Sequence, residues 1–154
     1  MQDESPPSEG RSTRVGAPGH QPGQDWMALV RKSGTPEFVA AFAESPVLVS
    51  SVLSGACAGI KDIATLLAAS TGGMYDTLTF THETIDGPKT YLEWEGKALG
   101  KPVSGSTILT RNRTGLVQNI QIYLRPLPVV LEFSAELAKR LKGKVSPSLF
   151  AIRD

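Results

Sequence analysis

The sequence predicts an α+β domain on three observations: helical patterns come first, hairpin-linked strand patterns follow, and the last strand runs into an amphipathic helix. "DWMALVRK" offers Asp25 as an N-cap and Trp26, Leu29 and Val30 as one helical face. "TPEFVAAFAES" reads as a second short helix, with Thr35 as N-cap and Pro36 in the first turn, where a missing N–H costs little. "PVLVSSVL" is β-branched and extended in character, and Gly55 and Gly59 bracket a turn before a third helix, "IKDIATLLAAS".

Four extended segments come next: "LTFTHETI", "TYLEWEGKAL", "SGSTILTR" and "LVQNIQIYLR". Asp86-Gly87 and Thr114-Gly115 between them are hairpin signals, so neighbouring strands are expected to pair antiparallel, with "RNR" at 111–113 near a solvated hairpin tip. The last strand must stop at Arg125-Pro126-Leu127-Pro128. Pro126 has no N–H for a sheet and holds Arg125 extended, while Pro128 suits the first turn of a helix. From Val130 the apolar positions Phe133, Leu137 and Leu141 form one stripe, with Gly143 as the expected cap. Lys139, Arg140 and Lys142 complement the dipole at that end.

At 154 residues and a net charge of +1, the chain is long enough for one domain and too nearly neutral to suggest nucleic acid as a partner. Cys57 is alone, and His20 and His82 are far apart in sequence, so neither a disulfide framework nor a metal motif is indicated, and no cofactor is expected. No long apolar run suggests a membrane span, and "MQDESPPSEG" opens with acids and prolines where a secretion signal would be basic and apolar. The expectation is a soluble cytoplasmic protein. Residues 1–24 have four Gly, four Pro and three Ser, with only Met1, Val15 and Ala17 apolar, and read as a disordered tail. The folded domain is expected over 25–145, with a carboxy-terminal extension over 146–154.

The order of elements, together with "FAESPVLVSSVLSGACAGIKDIATLL", "LEWEGKALGKPVSGSTILT", "RTGLVQNIQIYLRPL" and the helix after it, resembles the nuclear transport factor 2-like superfamily. That superfamily includes SnoaL-like polyketide cyclases and ketosteroid isomerases, and the resemblance covers residues 25–142. It implies a strongly curved, mainly antiparallel sheet wrapped around the amino-terminal helices, with the carboxy-terminal helix sealing one side of a cone that holds a small apolar ligand. Ketosteroid isomerases of this fold use one carboxylate as base and a protonated Asp with a Tyr to stabilise an enolate. Matching the glycine before the third helix to Gly59 puts the base position at Ser50, between Val49 and Ser51; matching the hairpin glycine to Gly115 puts the second acid at Thr107. Neither is a carboxylate, and an unactivated hydroxyl cannot take that proton. The resemblance therefore implies a pocket without the usual acid/base carboxylates.

Strand alternation assigns the faces. Leu78, Phe80 and His82 are expected to point into the cone, as are Leu92 and Trp94 and, on the last strand, Ile120, Ile122 and Leu124. Glu83, Tyr91, Glu93, Glu95, Gln121, Tyr123 and Arg125 are expected on the outer face. His82 is then the titratable group among apolar residues, and an imidazole exchanges protons near neutral pH, so His82 is the candidate catalytic residue. The bland alternative is a core histidine satisfied by a carbonyl, Ser50 or Thr107. Ser50, Phe80, His82, Trp94 and Thr107 are the expected ligand-binding set, with Trp94 serving as core or as a pocket wall. "SGACAGIKD" lacks the spacing and Lys-Ser/Thr end of a phosphate loop. Cys57 shows no neighbouring base and reads as a buried small residue. Two functions follow: a pocket protein that binds or transforms an apolar small molecule by isomerase-, cyclase- or hydrolase-like chemistry with an unusual catalytic set, or an interaction module whose cone is filled by its own side chains. Tyr91, Tyr123 and Arg125 on the outer face point to a homodimer in either case.

Overall fold

A computed structural model describes residues 19–150. The expectations for residues 1–18 and 151–154 lie outside the described residues. Helix α1 spans Gln24–Val30, and its N-cap is Gly23 at φ 73°; Asp25 lies in the first turn instead of at the cap, where its carboxylate complements the dipole. Helix α2 is Pro36–Ala40, capped as the sequence implies, with the Phe38 N–H donating to Thr35 Oγ1 at 3.2 Å. It is shorter than its pattern because the chain from Phe42 pairs with another strand: β1 is Phe42–Ser50, β2 is Cys57–Ala58, and α3 is Ile60–Thr71. Tertiary pairing outweighs local helix propensity there.

The remaining strands are β3 (Tyr75–Asp86), β4 (Lys89–Ala98), β5 (Lys101–Arg111) and β6 (Val117–Arg125), followed by α4 (Leu127–Arg140) and a short 3₁₀ turn, Pro147–Leu149. Gly87 at φ 61° and Gly115 at φ 87° occupy the two hairpin turns flagged by sequence. The single sheet has the order β2-β1-β6-β5-β4-β3, open between β2 and β3. Its pairs are antiparallel except β1 with β6, where Leu48 faces Ile120 in a parallel register. The Arg125–Pro126 peptide is cis, and α4 starts at once, ending at Arg140 with Leu141 as cap and Gly143 beyond it at φ 81°.

Irregularities in β3 decide which residues face inward. Tyr75 pairs with Ala98 and Thr77 with Lys97, so Asp76 is an extra residue; its carboxylate accepts the Gly100 N–H at 2.7 Å and ties the bulge to the β4–β5 turn. Phe80 pairs with Trp94 and His82 with Glu93, which makes Thr81 a second extra residue. Each bulge moves later side chains to the opposite face from simple alternation. The inner face carries Leu92, Trp94, Leu109, Ile120 and Leu124, covered by Trp26 and Val30 of α1, Ile63 and Leu67 of α3, and Phe133 and Leu137 of α4. At about 1.5–3 kcal/mol for each fully buried large side chain, this layer is the main source of stability.

Two edges of the domain extend past the expected boundaries. Residues 19–24, placed by composition in the tail, pack on the sheet: Gly23 donates its N–H to Glu83 Oε1 at 2.8 Å, and His20 Nε2 lies 3.3 Å from the same oxygen. At the other end Phe150 is buried and bridges Leu53, while Ser54 N–H donates to the Leu149 carbonyl at 2.7 Å. Among the described residues, no helix is long and apolar enough to cross a membrane.

Candidate functional site

Between the inner face of the sheet and helices α1, α3 and α4 lies an apolar cavity. Trp26, Met27 and Val30 of α1 form one wall, and Leu78, Phe80 and Trp94 form the facing one. Room for the centre of a water molecule inside it amounts to about 60 Å³. That is enough for several waters or a small ring, since one buried water needs roughly 10–15 Å³ in this measure. Among the described residues, no Asp, Glu, Lys, Arg or His lines it.

Of the expected site residues, Ser50, Phe80, Trp94 and Thr107 do line this cavity. Thr107 is buried, and its Oγ1 accepts the Trp94 indole N–H at 3.1 Å, which locks the ring in place. Gly105 makes room for that ring: a Cβ there would stand 2.5 Å from Trp94. Ser50 Oγ accepts the Val52 N–H at 3.2 Å. The two positions matched to the isomerase acids thus share one pocket, each holding a hydroxyl that accepts a hydrogen bond from the protein.

His82 is a correction. Its side chain is 74% exposed on the outer face, with Nδ1 3.4 Å from Glu93 Oε1 and 3.3 Å from Thr81 Oγ1. The bulge at Thr81 reverses the alternation that placed it inside, and the core-histidine alternative fails for the same reason. Glu83 takes the inward position instead, with only 10% of its side chain exposed, although alternation had put it outside. Glu93 and Glu95 are exposed as expected.

Tyr75 is the residue that the sequence reading missed. It lines the cavity, its ring packing edge-on to Trp94 at 5.6 Å and against Phe133 at 5.3 Å. Burial pushes the phenol well above its ordinary ionisation range, so it stays protonated and can only donate or accept a hydrogen bond. Among the described residues, no protein group bonds its hydroxyl. The strand pattern in the sequence starts at Leu78, three residues after the strand itself begins; with Asp76 bulged out, Tyr75 and Leu78 share the inner face. The Gly72-Gly73 pair just before it marks a break in the chain but carries no sign of the bulge.

Cys57 is buried, and burial, reinforced by the Asp62 carboxylate, pushes its thiol up to about 11, which makes it an inert core residue. Among the described residues, no His, Cys, Asp and Glu group is placed to hold a metal.

No protein-family model matches the sequence, and no curated protein matches it. Solved structures do. A bacterial protein with a cystatin-like fold from Silicibacter pomeroyi superposes with a TM-score of 0.70 at 20% identity, covering 82% of this chain and 89% of that one. A steroid delta-isomerase from Pseudomonas aeruginosa gives 0.68 at 16% identity over 78% of this chain and 88% of its own. A SnoaL-like family protein from Agrobacterium tumefaciens gives 0.50 at 18% identity over 68% and 94%. The likeness at such identities is one of fold, and it agrees with the open six-stranded sheet, the covering helices and the carboxy-terminal helix. This chain therefore has the nuclear transport factor 2-like fold.

Proposed function

We propose that the protein binds a small, uncharged, largely apolar molecule in the cone, and that Tyr75 gives that molecule its directed hydrogen bond. The observation that carries this reading is the Tyr75 hydroxyl, which belongs to a partly buried side chain lining the apolar cavity and has no hydrogen-bond partner among the described residues. In the empty cavity that hydroxyl is left to water, and a ligand carbonyl or ether oxygen accepting from it would add a net hydrogen bond of about 0.5–1.5 kcal/mol. A charged ligand would lose its hydration without finding a counter-charge in the lining, so neutral molecules are favoured. Phe80 and Trp94 supply flat walls, and Ser50 and Thr107 line the cavity with hydroxyls.

Among the described residues the lining has no carboxylate, imidazole or amine, and Tyr75 is held in its acid form, which supports a binding role for the cavity. The test is native mass spectrometry after incubation with matched pairs of cyclic ketones and carboxylates. The expected result is a one-to-one adduct with neutral members and none with their anions. Failure of every neutral member to bind, or preference for the anions, would overturn the reading.

The second reading, a homodimeric interaction module, has its own support. Tyr91 and Tyr123 are each 39% exposed on the outer face. Across β6, β5 and β4 the residue rows run Arg125–Ser104–Glu95 and Tyr123–Ser106–Glu93. A two-fold axis near β5 would bring Arg125 towards the carboxylates of a second copy, a self-complementary patch. A dimer through this face is compatible with a ligand in the cone, because the two sites use opposite faces of the sheet. A cytoplasmic location is part of the same proposal.

A further inference from the structure

We infer that Glu83 is the latch of a movable wall: its carboxylate pins Gly19–Gln24, and through that strap α1, over the cavity, and a ligand larger than the resting space is admitted when the latch opens. The ligand part of this inference rests on the pocket reading above; the latch itself rests on geometry alone.

The bulge at Thr81 turns Glu83 inward near the end of β3, where Oε1 receives the Gly23 N–H at 2.8 Å and faces His20 Nε2 at 3.3 Å. Among the described residues, both hydrogen bonds that join the strap to β3 therefore end on one atom. An N–H to carboxylate bond is stronger than a neutral one, and both partners are largely shielded, with the His20 side chain 16% exposed. Gly23 lies flat on the Phe80 ring, so close that a Cβ would stand 2.4 Å from it. Phe80 is itself a cavity wall, and Gly23 is the N-cap of α1, whose Trp26, Met27 and Val30 form the opposite wall. The strap thus grips both sides of the cavity at once.

The other walls are poorly suited to move. Strands β3 to β6 are laddered on their neighbours, and α3 and α4 are helices of 12 and 14 residues that carry Ile63, Leu67, Phe133 and Leu137, whereas α1 adds Trp26 and Val30 to the same core. Helix α1 has seven residues, outside the sheet, and is too short to be stable by itself. Ligand pockets commonly enclose about 300–1,000 Å³, so a ligand of ordinary size must displace something, and α1 is the shortest of the three helices that line the cavity.

Two variants separate a latch from general destabilisation: Glu83→Ala removes the acceptor, and Glu83→Gln keeps an acceptor for Gly23 but drops the charge facing His20. Hydrogen exchange of peptides covering 19–30 should accelerate by about tenfold in Glu83→Ala and by less in Glu83→Gln, with α3 unchanged. In stopped-flow binding of Nile red, a neutral apolar dye, association and dissociation should both speed up several-fold, with Kd changing by less than about threefold. Unaltered exchange over 19–30, equal acceleration in α3, or unaltered binding rates would overturn the latch. If wild type does not bind Nile red, the ligand part falls with the proposed function, and the exchange result still decides the latch.

Discussion

Replacing Tyr75 with Phe isolates one atom of the site, and the expected effect falls on binding far more than on stability. The ring contacts to Trp94 and Phe133 survive, because the two side chains share a ring and χ1 preferences. What disappears is a hydroxyl on a partly buried side chain, with no hydrogen-bond partner among the described residues. Water in the empty cavity can bond it, so its removal should change stability by no more than about 1 kcal/mol. In a chain of 154 residues, each kcal/mol moves the melting temperature by about 2–4 °C. Thermal unfolding without ligand should therefore move by no more than about 4 °C for Tyr75→Phe. Titration with a neutral cyclic ketone should show a loss of affinity near tenfold from one missing hydrogen bond of about 1.4 kcal/mol. A larger fall in melting temperature would mean that the protein itself bonds the hydroxyl in the empty state, and the argument for its role in binding would collapse.

Other expectations follow from the same geometry. His82→Gln should change stability by no more than about 0.5 kcal/mol and leave ketone binding intact, because the imidazole is on the surface; a specific loss of binding would restore the role that alternation had given it. Cys57 has its thiol raised from 9.0 to about 11. Its contribution to stability is therefore whole below pH 9.0 and is lost as pH climbs towards 11, because the unfolded thiol ionises first. Melting temperature should fall across that window, with a shallower slope in Cys57→Ala, and alkylation by iodoacetamide at pH 8 should be far slower in the folded protein than in urea; fast alkylation would contradict the burial. Arg125→Glu should shift sedimentation towards monomer, and adding Glu93→Arg and Glu95→Arg should restore dimer. A monomeric wild type at micromolar concentration would end the dimer proposal.

Most of the architecture could be read from local signals. Thr35-Pro36 caps a helix because the hydroxyl and the missing N–H meet the same need at its start, and the Asp-Gly and Thr-Gly pairs turn because glycine accepts a positive φ. Trp94 and Leu92 point inward as alternation requires, since β4 has no extra residue against β5. The parallel partnership of β1 and β6 has no local signature at all; it depends on where the chain returns after α3. The site was half legible for a related reason. Phe80 and Trp94 sit on stretches where a period of two holds, and Ser50 and Thr107 follow from matching Gly59 and Gly115 to the resembling family, whereas Tyr75, His82 and Glu83 lie beyond bulges that come from cross-strand pairing and that the composition of "MYDTLTFTHE" does not announce. One extra residue exchanged an imidazole for a carboxylate on the inner face, and with it a catalytic candidate for a latch.

The most direct measurement of the central claim is the crystal structure of the protein with a bound neutral ketone identified by native mass spectrometry. The account predicts the ring system between Phe80 and Trp94 and the carbonyl oxygen about 2.7–2.8 Å from Tyr75 Oη. Ligand density outside the cone, or inside it with the oxygen turned away from Tyr75, would contradict the account.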